Sequence, residues 1–408
     1  MNAPGTSRWL GATALLLAGS LLVAGCSTTT STGLGAGSGS AMAGVSQTEI
    51  RLGMSNALSG PVAAVCLPAS EGAKAWLAKV NDEGGVHGRK VTVDVLDDGY
   101  EAPRAAANVR DLTHKGIFAM FGGCGTVSAA AISTALKGSG VPYLFPYAAL
   151  PDLVEPVQPN VFSLLPLYRD QIFTAIDHLV TKAPGTVYTV TSQIPGYEST
   201  VSGAEAGVKS AGGTLLSSAL LPATNAPAEQ EAAKAGQHNV DYLAMTVLAP
   251  DAARMLNGMA KSHDLPAKAI LSSAPLAAQS FAAALSPEAA QLLKTLSPTV
   301  PPSDPAAQEC VDALRKHSPD TKPDALALFG CAGAQVLVAA LQAAGDEPTR
   351  SKLTGALEEM HGAQVSSLLP TVSFNAEDHV GLDSMFLLTL DSAQQYTVEA
   401  TVPLQTAP

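Results

Sequence analysis

From Glu49 onward, short strand-like apolar runs alternate with helical patterns, and this alternation constrains the fold more than any other feature of the 408-residue chain. The runs IRLGM, VTVDVL, IFAMF and VPYLF are separated by helical stretches through SEGAKAWLAKVN, over 103–115 and over 126–137. Strands joined in this way make right-handed crossovers and lie parallel in one sheet with helices on both faces. A second series begins near Asn160 with VFSLL. It continues through TVYTV, TLLSSAL, DYLAMTV and KAILSS, with helices over 169–182, 197–211, near 228–235 and over 250–262. The length also exceeds what one ordinary core holds. The expected fold is α/β, with two doubly wound parallel-sheet lobes.

The later segments DPAAQECVDALRKH and DALALFGCAGAQVLVAALQAAG are helical with no strand between them, so they cannot build a third parallel sheet. They are expected to return over the first lobe, leaving the strand-like TVSF, MFLLTL and QYTVEATV for the second. The first lobe then comprises 48–162 plus about 298–365, and the second 163–297 plus about 366–408, joined by a multi-strand hinge.

At the other end, Arg8 precedes an apolar run from Trp9 to Ala24, which is shorter than the ~20 residues that span a bilayer and has the form of an export signal over 1–25. Val23, Ala24, Gly25 and Cys26 resemble the lipobox of bacterial lipoproteins, in which the cysteine is diacylated and becomes the new N-terminus. Two acyl chains hold a protein on a membrane where one does not. Residues 26–47 have almost no large apolar side chains and are expected to be a flexible tether. Their GLGAGSG neither follows a strand nor opens a helix, so it is not a dinucleotide fingerprint. The expected location is extracytoplasmic, on the outer face of the cell membrane. A net charge of −12 repels nucleic acid.

The segment FGGCGTVSAA, 121–130, sets a cysteine among glycines where a strand meets a helix. No histidine stands in a nearby motif, no G-x-S-x-G elbow occurs, and His87, His178 and His263 show no metal-ligand spacing. Neither metal, cofactor nor catalytic residue is expected. Asp97 and Asp98 form an acidic pair at a strand end followed by a helix start, where carboxylates cap helices.

The stretch LSGPVAAVCLPASEGAKAWLAKVNDEGGVHGRKVTVDVLDDGYEAPRAAANVRDL resembles the extracytoplasmic solute-binding proteins of ABC importers, in the branched-chain amino acid (leucine-binding-protein-like) family with the type I periplasmic fold. Phe121 to Ser128, VPYLFPYAALPDL and VSFNAEDHVG extend the resemblance over 49–403. It implies a monomer that closes around a small amino-acid-like molecule or related carboxylate or amide, and passes it to a permease and its ATPase. A signalling sensor of the same fold is one alternative, and a hydrolase using Cys124 or Ser128 another.

The resemblance also assigns residues. Ligands of doubly wound sheets sit outside the carboxyl ends of the strands. There the hydroxyl and backbone N–H of Thr126 are expected to hold the ligand carboxylate, with Cys124 and Gly125 beside them. Ser59 lies in the Ser-Gly turn after the first strand, and Tyr100, Tyr147, Tyr168 and Tyr197 are candidate lining rings. Ala148 and Pro195 belong to the same loops. Where the family holds an ammonium with a threonine and an acidic residue, this chain has Ala149 and Ser273, which weakens the reading as a free α-amino acid receptor. Cys66, Cys124, Cys310 and Cys331 allow three pairings. Cys66 and Cys124 follow the first and third strands and are expected to meet, while Cys310 and Cys331 sit on successive helices. A bridge there closes about twenty residues, worth roughly 3 kcal/mol on the chain-entropy view.

Overall fold

The structure, a computed structural model, describes residues 42–60 and 62–407. The leader 1–25, Cys26 and the expected tether as far as residue 41 lie outside the described residues. The end of the tether segment is fixed: Val45 bridges Ile50, and the Gly44 carbonyl accepts the Arg51 amide at 2.7 Å.

Five parallel strands build the first sheet: β1 (Glu49–Asn56), β2 (Lys90–Asp97), β3 (Ala119–Phe121), β4 (Tyr143–Leu144) and β5 (Val161–Phe162), in the order β2-β1-β3-β4-β5. Its helices are α1 (Ala63–Asp82), α2 (Ala102–His114), α3 (Thr126–Leu136) and the short α4 (Pro151–Val154). Val161–Phe162 thus closes the first sheet, although its sequence places it at the head of the second series. An apolar pair flanked by loops carries no mark of which sheet edge it will join.

The second sheet has seven strands: β6 (Thr186–Gln193), β7 (Thr214–Pro222), β8 (Tyr242–Thr246), β9 (Ala269–Ser272), β10 (Leu293–Ser297), β11 (Ser384–Leu390) and β12 (Tyr396–Pro403). The order is β12-β11-β10-β9-β8-β6-β7, parallel from β10 to β7 and antiparallel from β10 to β12. Around it lie α5 (Tyr168–Val180), α6 (Ser199–Ser210), α7 (Ala228–Gly236), α8 (Ala249–Ser262), α9 (Gln279–Ala282) and α10 (Pro287–Leu292). Both disulfides form, Cys66 to Cys124 and Cys310 to Cys331.

TVSF is not a strand: Val372 makes only isolated bridges, and Phe374 instead packs against Phe145 and Phe162 of the first sheet, with centroids 6.1 Å and 5.4 Å away. The chain passes between the sheets after β5, after β10 and before β11.

α11 (Gln308–His317), α12 (Ala325–Ala343) and α13 (Arg350–Glu358) follow β10, and α12 lies directly on α1. That contact is made backbone to backbone. A Cβ at Gly72 would stand 1.9 Å from the Ala327 carbonyl oxygen, and one at Gly330 the same distance from that of Ala69. Nearly every α12 side chain is buried, so its packing, more than amphipathic patterning, fixes it.

Gly330→Ala therefore has to push two helices apart, which costs about 1–3 kcal/mol as overpacking despite alanine's better helix propensity. Gly355→Ala in α13 meets nothing within 4 Å and is the control. Calorimetry is expected to show a melting midpoint several degrees lower for Gly330→Ala and unchanged or higher for Gly355→Ala. Equal midpoints would remove the close crossing from the account.

Candidate functional site

The loops leaving β3 and β4 set the first half of the site. Gly122, Gly123 and Gly125 have φ of 63°, 86° and 109°, a left-handed backbone that glycine adopts without strain. Cys124 between them bridges Tyr147: the Tyr147 amide donates to the Gly123 carbonyl at 2.8 Å, and the Gly125 amide to the Tyr147 carbonyl at 3.3 Å. These bonds aim the start of α3, which no side chain caps, toward the space beyond the strand ends. Thr126 is buried there, with Oγ1 3.2 Å from the Tyr100 hydroxyl. Tyr100 itself has φ 67°, and its ring lies over Gly125, where a Cβ would come within 2.6 Å.

The acidic pair braces these loops. Asp98 is fully buried and accepts from the Ser55 hydroxyl at 2.8 Å, the Ser128 hydroxyl at 2.9 Å and the Tyr100 amide at 2.9 Å. Asp97 accepts the amides of Leu58, Ser59 and Gly99 through Oδ1, and through Oδ2 the Ser59 hydroxyl at 2.6 Å and Arg104 at 3.0 Å. The Ser59 hydroxyl and the three amides hold the Asp97 carboxyl well below the usual range. Neither caps α2, whose first turn has no side-chain cap, so helix capping is replaced by loop bracing. Ser59 is exposed, with its hydroxyl engaged by Asp97. The sulfur of Cys124 is bonded to Cys66 and the Ser128 hydroxyl donates to Asp98, so neither is a free nucleophile.

The second half comes from the loops after β6 and β9 and from the start of α5. Tyr168 and Tyr197 meet edge to face at 4.8 Å. Tyr147 crosses to this side: its hydroxyl donates to the Ala274 carbonyl at 3.3 Å, while its ring meets Phe329 of α12 at 4.9 Å. Burial pushes the hydroxyls of Tyr147, Tyr168 and Tyr197 far above their ordinary pKa, and Tyr168 is raised further by its neighbours Tyr147 and Tyr100. Gly196 lies so close to Leu150 that a Cβ would stand 2.6 Å from its Cδ2. The strand-end loops of the two sheets are in direct contact.

Tyr100, Cys124, Gly125, Thr126 and Tyr147 therefore come together from the first sheet, facing Tyr168 and Tyr197 from the second. Ser273 is fully buried, its hydroxyl 3.3 Å from that of Thr246, and it reaches this junction only through the next residue, Ala274. Ala148 and Ala149 are buried in different cores, and Pro195 is exposed. Sequence reasoning missed Phe329, Leu150 and Gln171. The Gln171 side chain is fully buried and accepts the Ala274 amide at 3.0 Å. None has a marked signal, since a phenylalanine or leucine in an apolar run reads as core. Behind the glycine turn, Met54, Phe121, Phe145, Tyr147 and Phe329 help line a cavity of about 20 Å³, room for one water and no more.

The sequence profile of the family described as periplasmic binding protein matches residues 49–395. The Leu/Ile/Val-binding protein BraC3 of Rhizobium johnstonii is 30% identical over 121 residues, which are 30% of this chain and 33% of that protein. The chain thus aligns with about a third of the length of this curated relative. A branched chain amino acid ABC transporter protein from Thermus thermophilus, solved with bound valine, superposes with a TM-score of 0.77 at 16% identity, covering 89% of this chain and 98% of that one. The fatty acid ABC transporter substrate-binding protein from Thermomonospora curvata gives 0.76 at 20% identity, covering 90% and 94%. At these identities the structures bear on the fold alone. With the family profile running through both sheets, the chain belongs to the periplasmic binding protein family and has its type I fold.

Proposed function

We propose that the protein is an extracytoplasmic solute-binding protein, lipid-anchored through Cys26, that captures one small carboxylate-bearing molecule between its two lobes and delivers it to an ABC-type importer. The observation that carries this reading is the uncapped start of α3 at Thr126, set against a facing wall of tyrosines on the other lobe. Orphan amides and the helix dipole favour an anionic oxygen at such a place, and the mutually hydrogen-bonded Thr126 and Tyr100 hydroxyls leave one further donor free. The tyrosine rings offer an apolar wall with polar tips, which suits an organic body behind the carboxylate.

Capture follows from differential affinity. A solute that touches only the first lobe gains nothing from closure, whereas one that bridges Thr126 and the Tyr168–Tyr197 pair stabilises the closed arrangement by the difference. The closed form then presents the surface a permease recognises. The family profile supports solute binding, and the names of the relatives support an importer as destination. No bond in the solute is made or broken.

A thermal-shift panel of amino acids, aromatic acids, amides and short peptides tests the reading. A solute at a hundredfold excess over its Kd stabilises by about 2.7 kcal/mol and raises the midpoint visibly. Thr126→Ala is expected to weaken a carboxylate solute about tenfold while leaving the unliganded midpoint within a degree or two. A panel with no shift, or a variant that binds as the parent does, would argue against this site.

The tyrosines add a pH dependence. Burial raises these hydroxyls above their ordinary value of about 10, and those that closure of the lobes buries favour closure only while they stay protonated. The stabilisation they give is therefore complete below about pH 10 and is lost as the pH rises beyond it. Solute affinity is expected to be flat from about pH 7 to 9 and to fall above 10, with less tyrosinate absorbance at 295 nm in the solute-bound protein than in the free one. Equal absorbance in both would mean that these hydroxyls do not report closure.

A further inference from the structure

The turn after β3 has three glycines and a single side chain, that of Cys124, with which to hold its place in the lobe. Its two backbone bonds to Tyr147 join it to the loop leaving β4, a strand of only two residues. Two loops bonded in this way are fixed to each other, and neither is thereby fixed to a helix. Beyond the turn, the Ser128 hydroxyl ties α3 to Asp98. Within the turn, the tie to a helix is covalent and runs from Cys124 to Cys66 of α1.

Cys66 comes from a part of α1 that is itself well held. It is buried, and its carbonyl accepts the side-chain amide of Asn56, at the end of β1, at 3.0 Å. Further along the helix, Gly72 sits against the Ala327 carbonyl in the close crossing with α12. The bridge therefore carries the fixity of β1, α1 and α12 into a turn that has no other side chain to pack. The second bridge differs: Cys310 and Cys331 join α11 to α12, two helices, and neither cysteine lies in a loop of the site.

Resting on the receptor reading above, we propose that Cys66 is a positioning residue of the solute site, acting through Cys124, and that the oxidation state of this one bridge sets solute affinity. With the bridge closed, the start of α3 is already ordered when a solute arrives. With it open, the turn has to be ordered during binding, and its three glycines make that entropy loss large. Opening takes a dithiol reductant: two electrons and two protons pass to the bridge, Cys66 and Cys124 become thiols, and the reductant leaves as a disulfide. The coupling is reciprocal. If closing the bridge tightens a solute about tenfold, that solute makes the bridge about tenfold harder to reduce, a shift of about 30 mV.

The test takes valine and benzoate as probes, or the strongest member of the wider panel where both fail, and three proteins: wild type, Cys66→Ser/Cys124→Ser and Cys310→Ser/Cys331→Ser. Both variants are expected to melt lower, because either bridge constrains the unfolded chain. Only Cys66→Ser/Cys124→Ser is expected to bind the probe about tenfold more weakly in calorimetric titration. It is also expected to exchange the Gly125 and Tyr147 amides about tenfold faster, while the amides of α12 keep the rate seen in the other variant. A second arm uses the native wild-type protein and needs no variant to fold. After graded dithiothreitol, alkylation read by mass spectrometry is expected to show that bound probe protects Cys66–Cys124 and leaves Cys310–Cys331 as reducible as before. Equal affinity and equal turn exchange in the two variants, or protection that is the same at both bridges, overturns the proposal and leaves the receptor reading standing. Binding of no panel member to the wild type overturns the receptor reading, and the proposal with it.

Discussion

The pair of hydrogen bonds between the glycine turn after β3 and the Tyr147 peptide is the constraint on which the site depends. β3 is three residues long and β4 two, so neither strand is long enough to fix the direction in which the chain leaves the sheet. The exchange of amides and carbonyls among Gly123, Gly125 and Tyr147 does that instead. It requires close approach as well as left-handed backbone, since a Cβ at Gly123 would stand 2.6 Å from the Ser55 carbonyl oxygen. Cys124 is the one residue of the turn with a side chain, and the disulfide carries it into α1. Turn, helix start and Tyr147 are thereby held as one piece, so the anion-favouring end of α3 and the hydroxyl that reaches the other lobe cannot move independently.

Beneath that piece the polar groups are spent on one another. Asp98 alone joins β1 through Ser55, α3 through Ser128 and the loop carrying Tyr100. A buried carboxylate with three donors is a positioning device, since each donor removed would leave part of its charge unsatisfied. Two adjacent aspartates at a strand end, which invite a reading as general acid and base, thus brace the loops around them. Asp97 is bound on both oxygens and held ionised, and Asp98 is enclosed by donors.

The alternation of strand and helix was legible from residue types because period 2 and period 3.6 patterns persist wherever elements are long. It failed where they are short or follow one another without a break. β10 continues directly from α10 in PEAAQLLKTLS, with no glycine or proline between them, so the apolar run extends a helical pattern. VFSLL heads the second series by pattern although the first lobe was bounded at 162, and the TVSF segment was misplaced, because two to four apolar residues fit a strand, a core plug or either sheet. At the site, the turn glycines, Thr126 and the tyrosines were visible as residue types at strand ends, and the Cys66–Cys124 pairing followed from strand placement. What faces them was not visible. α12 is apolar on every side, so its sequence does not announce that Phe329 is the residue it turns toward Tyr147.

The two ends of the junction between the lobes use different interactions. At the crossing into α5, Arg169 holds Glu155 with two hydrogen bonds of 2.8 Å and 3.3 Å and also bonds Asp170, and these partners raise its pKa further. Charge-assisted, two-pronged contacts of this kind hold their partners in a fixed geometry. At the mouth, by contrast, the recorded contact from Tyr147 to Ala274 is a neutral hydrogen bond, worth about 0.5–1.5 kcal/mol net, and the rest is tyrosine ring and loop packing. Water or a solute can take over such contacts at little cost. The ion pair is half open to water and worth at most about 1 kcal/mol, so neither end of the junction is held strongly, and the closure proposed above would be set by what the mouth contains.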